Sequence, residues 1–239
     1  MIEVQGLRKA FGAVKAVDGA SFTAADGAIT TLLGANGSGK TTTLSAAMGL
    51  LAPDAGGVRV DGLAVAADAK AARRRIGWFP DAFGLYPRLT AREHCRYFGQ
   101  LHGMGGAPLE AAIGRVFAEL DMEAIDARRT EGFSTGQRMK VALARAMVHS
   151  PRNLILDEPT RGLDIMSVRL LRETLRRRRA EGCCILMSSH VMAEVEDLSD
   201  KVVVISAGRV VGEGSPAELV ARTGAPNLEE AFVALAVNS

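Results

Sequence analysis

Apolar residues between Leu109 and Leu120 fall at Leu109, Ala112, Ile113, Val116, Phe117 and Leu120, offsets of 0, 3, 4, 7, 8 and 11. That spacing puts one apolar stripe along a helix. Helices are also predicted over Ala91–His102, Gln137–Met147, Asp164–Arg179 and Met192–Leu198, and another from near Lys40. Gly103–Gly106 breaks the first of these from the amphipathic segment, and Gly182 stands where a helix C-terminal cap belongs. Short apolar runs predict strands at Ile29–Leu33, Val58–Val60, Ile76–Phe79, Leu154–Leu156, Cys183–Ser188, Val202–Ile205 and Val210–Val211. Ser21–Ala24 and Ile29–Leu33 flank Asp26-Gly27, which predicts a hairpin there.

Strands alternate with helices on either side of a stretch, Tyr86 to Glu131, that contains no strand pattern. The expected fold is α/β: a mainly parallel sheet covered by helices on both faces, with a helical lobe inserted into it. No internal repeat is visible.

Composition narrows the function classes. The chain has 239 residues, 48% of them hydrophobic and 23% charged, which excludes disordered and low-complexity classes. Aromatics are only 5%, a poor basis for a base-stacking platform. The formal net charge of +2 lacks the basic excess of a duplex-binding domain. Cys95, Cys183 and Cys184 do not form a disulfide framework, and the vicinal pair opens an apolar run, so core positions are expected. There is neither a signal-peptide pattern nor a run of ~20 apolar residues, so a cytoplasmic location is expected. Arg176–Arg179 is read as a solvated face near a helix C-terminus, and His94, His102 and His149 lack metal-ligand spacing.

The strongest chemical signal is Gly34-Ala-Asn-Gly-Ser-Gly39-Lys40-Thr41, which fits G-x-x-x-x-G-K-[ST] between a predicted strand and a predicted helix. Glycines let backbone N–H groups converge on phosphate oxygens, and the helix start adds its positive end. Lys40 is placed to reach the outer phosphates, and the Thr41 hydroxyl to bind Mg²⁺. At the end of a predicted buried strand, Asp157 and Glu158 offer one carboxylate for a metal and one to polarise water. Phe133-Ser-Thr-Gly-Gln137 precedes a helix with Ser134 as N-cap; taken alone this reads as an ordinary capped helix, and its start also offers a second anion site.

Together these motifs resemble those of the ATP-binding cassette (ABC) ATPases, over essentially the whole chain. The resemblance makes Gly34–Thr41 the Walker A loop, Leu154–Glu158 Walker B with its catalytic glutamate, and Phe133–Gln137 the signature. Arg161-Gly-Leu-Asp164 falls at the dimer-contact loop, His190 at the switch histidine, and Phe11 where an aromatic ring stacks on adenine. Phe-Ser-Thr-Gly, the stretch Asp81–Glu93 and Leu228–Phe232 are similar to the corresponding parts of exporter ATPases of the NatA and drug-resistance type, which serve ABC-2 permeases. The resemblance implies a P-loop fold with an antiparallel β subdomain, and a helical subdomain at about 86–150 inserted in a RecA-like core, all within one domain spanning 1–239.

It further implies ATP and Mg²⁺ as cofactors. Glu158 and His190 would be catalytic. Phe11, Gly34, Asn36, Gly37, Ser38, Gly39, Lys40, Thr41 and Thr42 would bind nucleotide, as would Ser134, Gly136 and Gln137 of a second cassette. Thr41, Asp157 and Asp81 would face the metal. Asp81 stands where the family usually has glutamine; it is either a metal ligand whose charge opposes the triphosphate or a solvated loop residue. Thr135 replaces the first signature glycine. The implied partners are a second cassette, as homodimer or heterodimer, and an integral-membrane permease that would hold the chain at the cytoplasmic face of the membrane; no nucleic acid is expected. The competing class is a non-transport cassette ATPase acting on nucleic acid or the ribosome. Cargo, sodium or drug or other, is not legible.

Overall fold

The computed structural model describes residues 1–237. Two sheets are present. The outer one is antiparallel, in the order β2-β1-β4-β5, formed by β1 (Ile2–Phe11), β2 (Val14–Ala24), β4 (Ala55–Val60) and β5 (Leu63–Ala64). The inner one has six strands in the order β10-β9-β3-β8-β7-β6. These are β3 (Ile29–Leu33), β6 (Ile76–Phe79), β7 (Asn153–Leu156), β8 (Cys184–Ser189), β9 (Lys201–Ser206) and β10 (Arg209–Gly214). All neighbours in the inner sheet are parallel except the edge pair β9–β10. Every residue of β3, β7 and β8 is buried, as strands covered on both faces require.

The helices are α1 (Lys40–Ala47), α2 (Ala69–Arg73), α3 (Ala91–Leu101), α4 (Gly106–Glu119), α5 (Thr135–Met147), α6 (Ile165–Ala180), α7 (Met192–Leu198), α8 (Pro216–Thr223) and α9 (Leu228–Val237). Between β6 and β7 the only named elements are α3, α4, a single 3₁₀ turn at Glu123–Ile125, and α5. The amphipathic pattern of α4 is realised: Leu109, Ala112, Ile113, Val116 and Phe117 are all buried. They join one apolar cluster with α5 and with the strand residues Phe79, Leu154 and Leu156, which ties the helices to the sheet.

The hairpin expected at Asp26-Gly27 does not form. β2 pairs with β1, whereas β3 pairs with β8 and β9, so the turn carries the chain from one sheet to the other. The reason lies in burial: β2 alternates in its second half while β3 is buried throughout, so the two belong to different environments. β1 escaped the pattern because its register shifts between Val4 and Leu7, around Gly6 at φ 55°, which breaks the period of two.

The three cysteines are buried and free, and burial pushes the thiols up, to about 12 for Cys95 and Cys183 and about 11 for Cys184. The arginine run is the solvated face expected at the C-terminal end of α6, with Arg176, Arg177 and Arg179 exposed, and it carries surface ion pairs. Arg176 pairs with Asp197 at 2.6 Å, Arg178 with Glu119 and Glu181, and Arg179 with Asp200.

Candidate nucleotide site

The loop after β3 is shaped by close backbone packing as well as by its own hydrogen bonds. A Cβ on Gly34 would stand 2.5 Å from both Ile205 O and Ser38 Oγ, and one on Gly39 would overlap Ala16 O. Gly39 also adopts φ 107°, closed to side chains, as N-cap of α1. The loop is braced from the β9–β10 turn, where Gly208 N–H donates to Ser38 O at 3.0 Å.

Lys40 is buried, its ammonium donating to Gly34 O at 2.7 Å and Ala35 O at 3.2 Å and lying 3.4 Å from Glu158 Oε1. Ser38 Oγ is buried with no hydrogen-bond partner. A buried hydroxyl left unbonded inside a loop of this pattern fits an anion that completes it.

Phe79 O accepts the Asp157 N–H at 2.9 Å, so the chain segments leaving β6 and β7 run side by side. Asp157 is buried and Glu158 nearly so. Ser188, in β8, fixes both: its hydroxyl donates to Asp157 Oδ1 at 2.6 Å and accepts the Glu158 N–H at 2.9 Å. Glu158 has φ 46°, a left-handed conformation that costs of order 1–3 kcal/mol in a non-glycine residue and turns the carboxylate off the strand line. Its other oxygen lies 2.8 Å from His190 Nδ1. A carboxylate set between a lysine and an imidazole in this way can accept a proton from water while the ammonium offsets negative charge beside it and the ring holds its orientation.

A cavity of about 300 Å³ opens here, bounded by Asn36, Gly37, Gly39, Lys40, Thr41 and Thr42 on one side and by Asp81, Glu158 and Arg161 on the other. Phe11, 53% exposed, stands at its rim beside Ala16. The structure therefore brings together Phe11, the phosphate loop, Asp81 and Glu158, with Gly34, Ser38, Asp157 and His190 adjoining through the bonds above. It does not bring Ser134, Gly136 or Gln137 to this cavity. Ser134 and Gln137 form a capping box at the start of α5, each side chain bonded to the other's backbone at 3.2 Å. Gly136 has a reason inside the chain: a Cβ there would overlap Ser167 Oγ and stand 3.2 Å from Asp164 Oδ2, at the first turn of α6. Asp164 caps α6 by accepting the Ser167 N–H at 2.9 Å, which holds its carboxyl below the usual range.

One residue of the site, Ser188, went unread in the sequence, and another, Arg161, was read only as part of the dimer-contact loop. Ser188 is an apolar-strand serine with no motif around it. Arg161 lies in the loop after Glu158 and bonds Asp81 across the cavity mouth, Nη1 to Oδ2 at 2.9 Å. Pairing of β6 with β7 is what puts them in reach, and only the sheet order shows that.

Known proteins fit this geometry. The ABC transporter family model matches residues 17–161, more than half of the chain. The chain belongs to that family and is the ATP-binding, ATP-hydrolysing subunit of an ABC transporter. It is 42% identical over 222 residues to a Nod factor export ATP-binding protein I of Paraburkholderia xenovorans, covering 92% of this chain and 72% of the relative. It is 41% identical over 203 residues to the ABC transporter ATP-binding protein NatA of Bacillus subtilis, covering 84% and 82%. A solved ATP-binding subunit of an ABC transporter superposes with a TM-score of 0.91 at 30% identity, over 98% of this chain and 99% of that one. The dimeric structure of a bacterial ABC transporter cassette superposes at 0.81 with 22% identity, over 90% and 98%, a likeness of fold alone. The homologues are exporter ATPases, which favours transport over action on nucleic acid or the ribosome.

Proposed function

We propose that the chain works as a cassette whose two ATP sites are each completed by a second cassette, driving an export permease at the cytoplasmic face of the membrane. The observation that carries this is the separation between the cavity and the α5 start. The helix N-terminus at Ser134–Gln137 is capped by its own side chains and does not line the cavity that the phosphate loop of its own chain forms. Beside it, at the start of α6, Ile165 is 86% and Met166 71% exposed, an apolar patch next to Asp164, which Gly136 packs against. Head-to-tail pairing of two copies about a two-fold axis would bring each α5 start to the other's cavity and cover Ile165 and Met166.

In this reading Lys40 holds the β- and γ-phosphates, loop N–H groups cradle them, and Phe11 stacks on the base. Glu158 takes a proton from the attacking water, and His190 holds both Glu158 and the γ-phosphate. Ser134 and Gly136 of the second copy close over the same phosphate. A Thr41 hydroxyl in the cavity and the Asp157 carboxylate next to Glu158 are the hard oxygen donors that Mg²⁺ prefers, and these two would hold it. When bound there, Mg²⁺ would neutralise developing phosphate charge. Residues of about 86–150 are read as a helical subdomain that passes the closure to the permease; no helix of the described residues is long and apolar enough to cross a membrane. The likeness to the Nod factor and NatA proteins supports export, with the cargo set by the permease.

The test is the double substitution Ile165→Asp with Met166→Asp. It should leave ATP affinity of the single chain unchanged in a titration and abolish ATP-dependent dimers in light scattering. Dimers that persist would overturn the proposed face.

A further inference from the structure

We infer that Arg161 and Asp81 form a self-neutralising pair at the phosphate end of the cavity, and that Arg161 sets its preference for a triphosphate over a diphosphate. This rests on reading the cavity as the ATP site. The chain places three carboxylates at that end: Asp81, Asp157 and Glu158. Against them stand Lys40, already 3.4 Å from Glu158, and Arg161, 2.9 Å from Asp81. Counting these five groups, three negative charges meet two positive ones. Without Arg161 the balance would be two negative charges in excess, facing a ligand that is itself strongly negative.

Arg161 is well placed to matter because it rides on the Glu158 turn. Its N–H donates to Glu158 O at 3.2 Å, and the next residue, Gly162, takes φ 73° to complete the bend. The turn is anchored on its far side by Thr160, whose hydroxyl donates to the buried Glu194 at 2.5 Å. The backbone that carries the guanidinium is therefore fixed, while the side chain itself is 63% exposed and free to pivot between Asp81 and a phosphate oxygen. Both groups line the cavity with Lys40, Thr41 and Glu158, and Arg161 is tied through its backbone to Glu158, which Lys40 approaches to 3.4 Å; that marks the end where the outermost phosphate would arrive. Asp81 is tolerated there because its charge is met by a partner five positions beyond the end of the neighbouring strand β7.

The pair is tested by equilibrium titration of the purified chain with ATP and with ADP, with Mg²⁺ and in EDTA. Arg161→Gln should weaken ATP roughly tenfold at low salt, the order for one charge acting on a multiply charged ligand through a solvated gap, and ADP clearly less. Arg161→Lys should restore most of the ATP affinity. Asp81→Asn should tighten ATP severalfold, and the double variant should return close to the parent. The spread should shrink as salt rises. Thermal melts of the variants should match the parent, because both groups are solvated. Equal losses for ATP and ADP, or a double variant as weak as Arg161→Gln alone, would overturn the pair. Loss of ATP affinity on Asp81→Asn only with Mg²⁺ present would overturn it too, in favour of Asp81 as a metal ligand. If the parent itself does not bind ATP, the reading of the cavity fails instead.

Discussion

At the carboxyl ends of β3, β6 and β7, the side chains of the cavity are held by partners in the same chain. Lys40 is bonded to two carbonyls, Asp157 to Ser188, and Glu158 to His190. The α5–α6 start is built differently. Its polar groups are bonded among themselves as caps, Ser134 with Gln137 and Asp164 with Ser167, and the apolar side chains beside them face solvent. The first region is preorganised for chemistry on a phosphate. The second is a capped surface that does not line the cavity, and in the proposed reading it is the half that a second copy would use.

The largest effect that sharpens this contrast is expected from Glu158→Gln. The amide cannot accept a proton, so hydrolysis should fall by ~10²–10⁴ while ATP still binds, as a steady-state phosphate-release assay against a binding titration would show. Lys40→Ala removes the charged contact at the loop and should cost roughly 10–10² in ATP affinity in the same titration.

In the second region, Gly136→Ala forces Ser167 to turn away and give up its bond to Asp164. Denaturant melts should show a loss of about 1–2 kcal/mol, with the ATP affinity of the single chain unchanged. If that affinity dropped, the two regions would not be separable.

A smaller, pH-dependent effect is expected where the helical segment meets the sheet. His149, just past α5, is stacked at 3.5 Å on His102, just past α3, and its Nε2 lies 3.1 Å from Ile76 O in β6. Burial lowers its pKa to about 4. A histidine depressed in the folded state is protonated first in the unfolded chain. Its contribution is therefore intact above about pH 6.5 and is lost as pH falls toward 4, by up to about 3 kcal/mol. His149→Gln should flatten that part of the stability–pH curve measured by urea melts; an unchanged slope would remove His149 from the account.

Much of this is legible in the sequence. The bounds of β6 and α7 match the predicted ones, and α3, α4, α5 and β7 differ from them by at most a few residues, because buried strands and amphipathic helices leave strong periodic signals. The phosphate loop and the Asp157–Glu158 pair were legible because their chemistry is local in sequence. β1 was hidden by its bulge, and α8 by its shortness, although Ser215, Pro216 and Glu218 spell a capping box. The roles of Ser188 and Arg161 depend on which strands are neighbours, and the internal role of Gly136 on how α5 meets α6. Those are facts of packing, which residue spacing alone does not encode. The stacking of His102 on His149 belongs to the same class: 47 positions apart, they meet only because α3 and α5 end together.

The central claim, that one region is complete and the other waits for a second copy, is tested most directly by light scattering on Glu158→Gln after size-exclusion chromatography. With hydrolysis blocked, the closed state should accumulate. The protein should be monomeric without nucleotide and with ADP, and should shift to a dimer with ATP; adding Ser134→Arg should abolish the shift. A variant that binds ATP, does not hydrolyse it, and remains monomeric at high concentration would contradict the shared site.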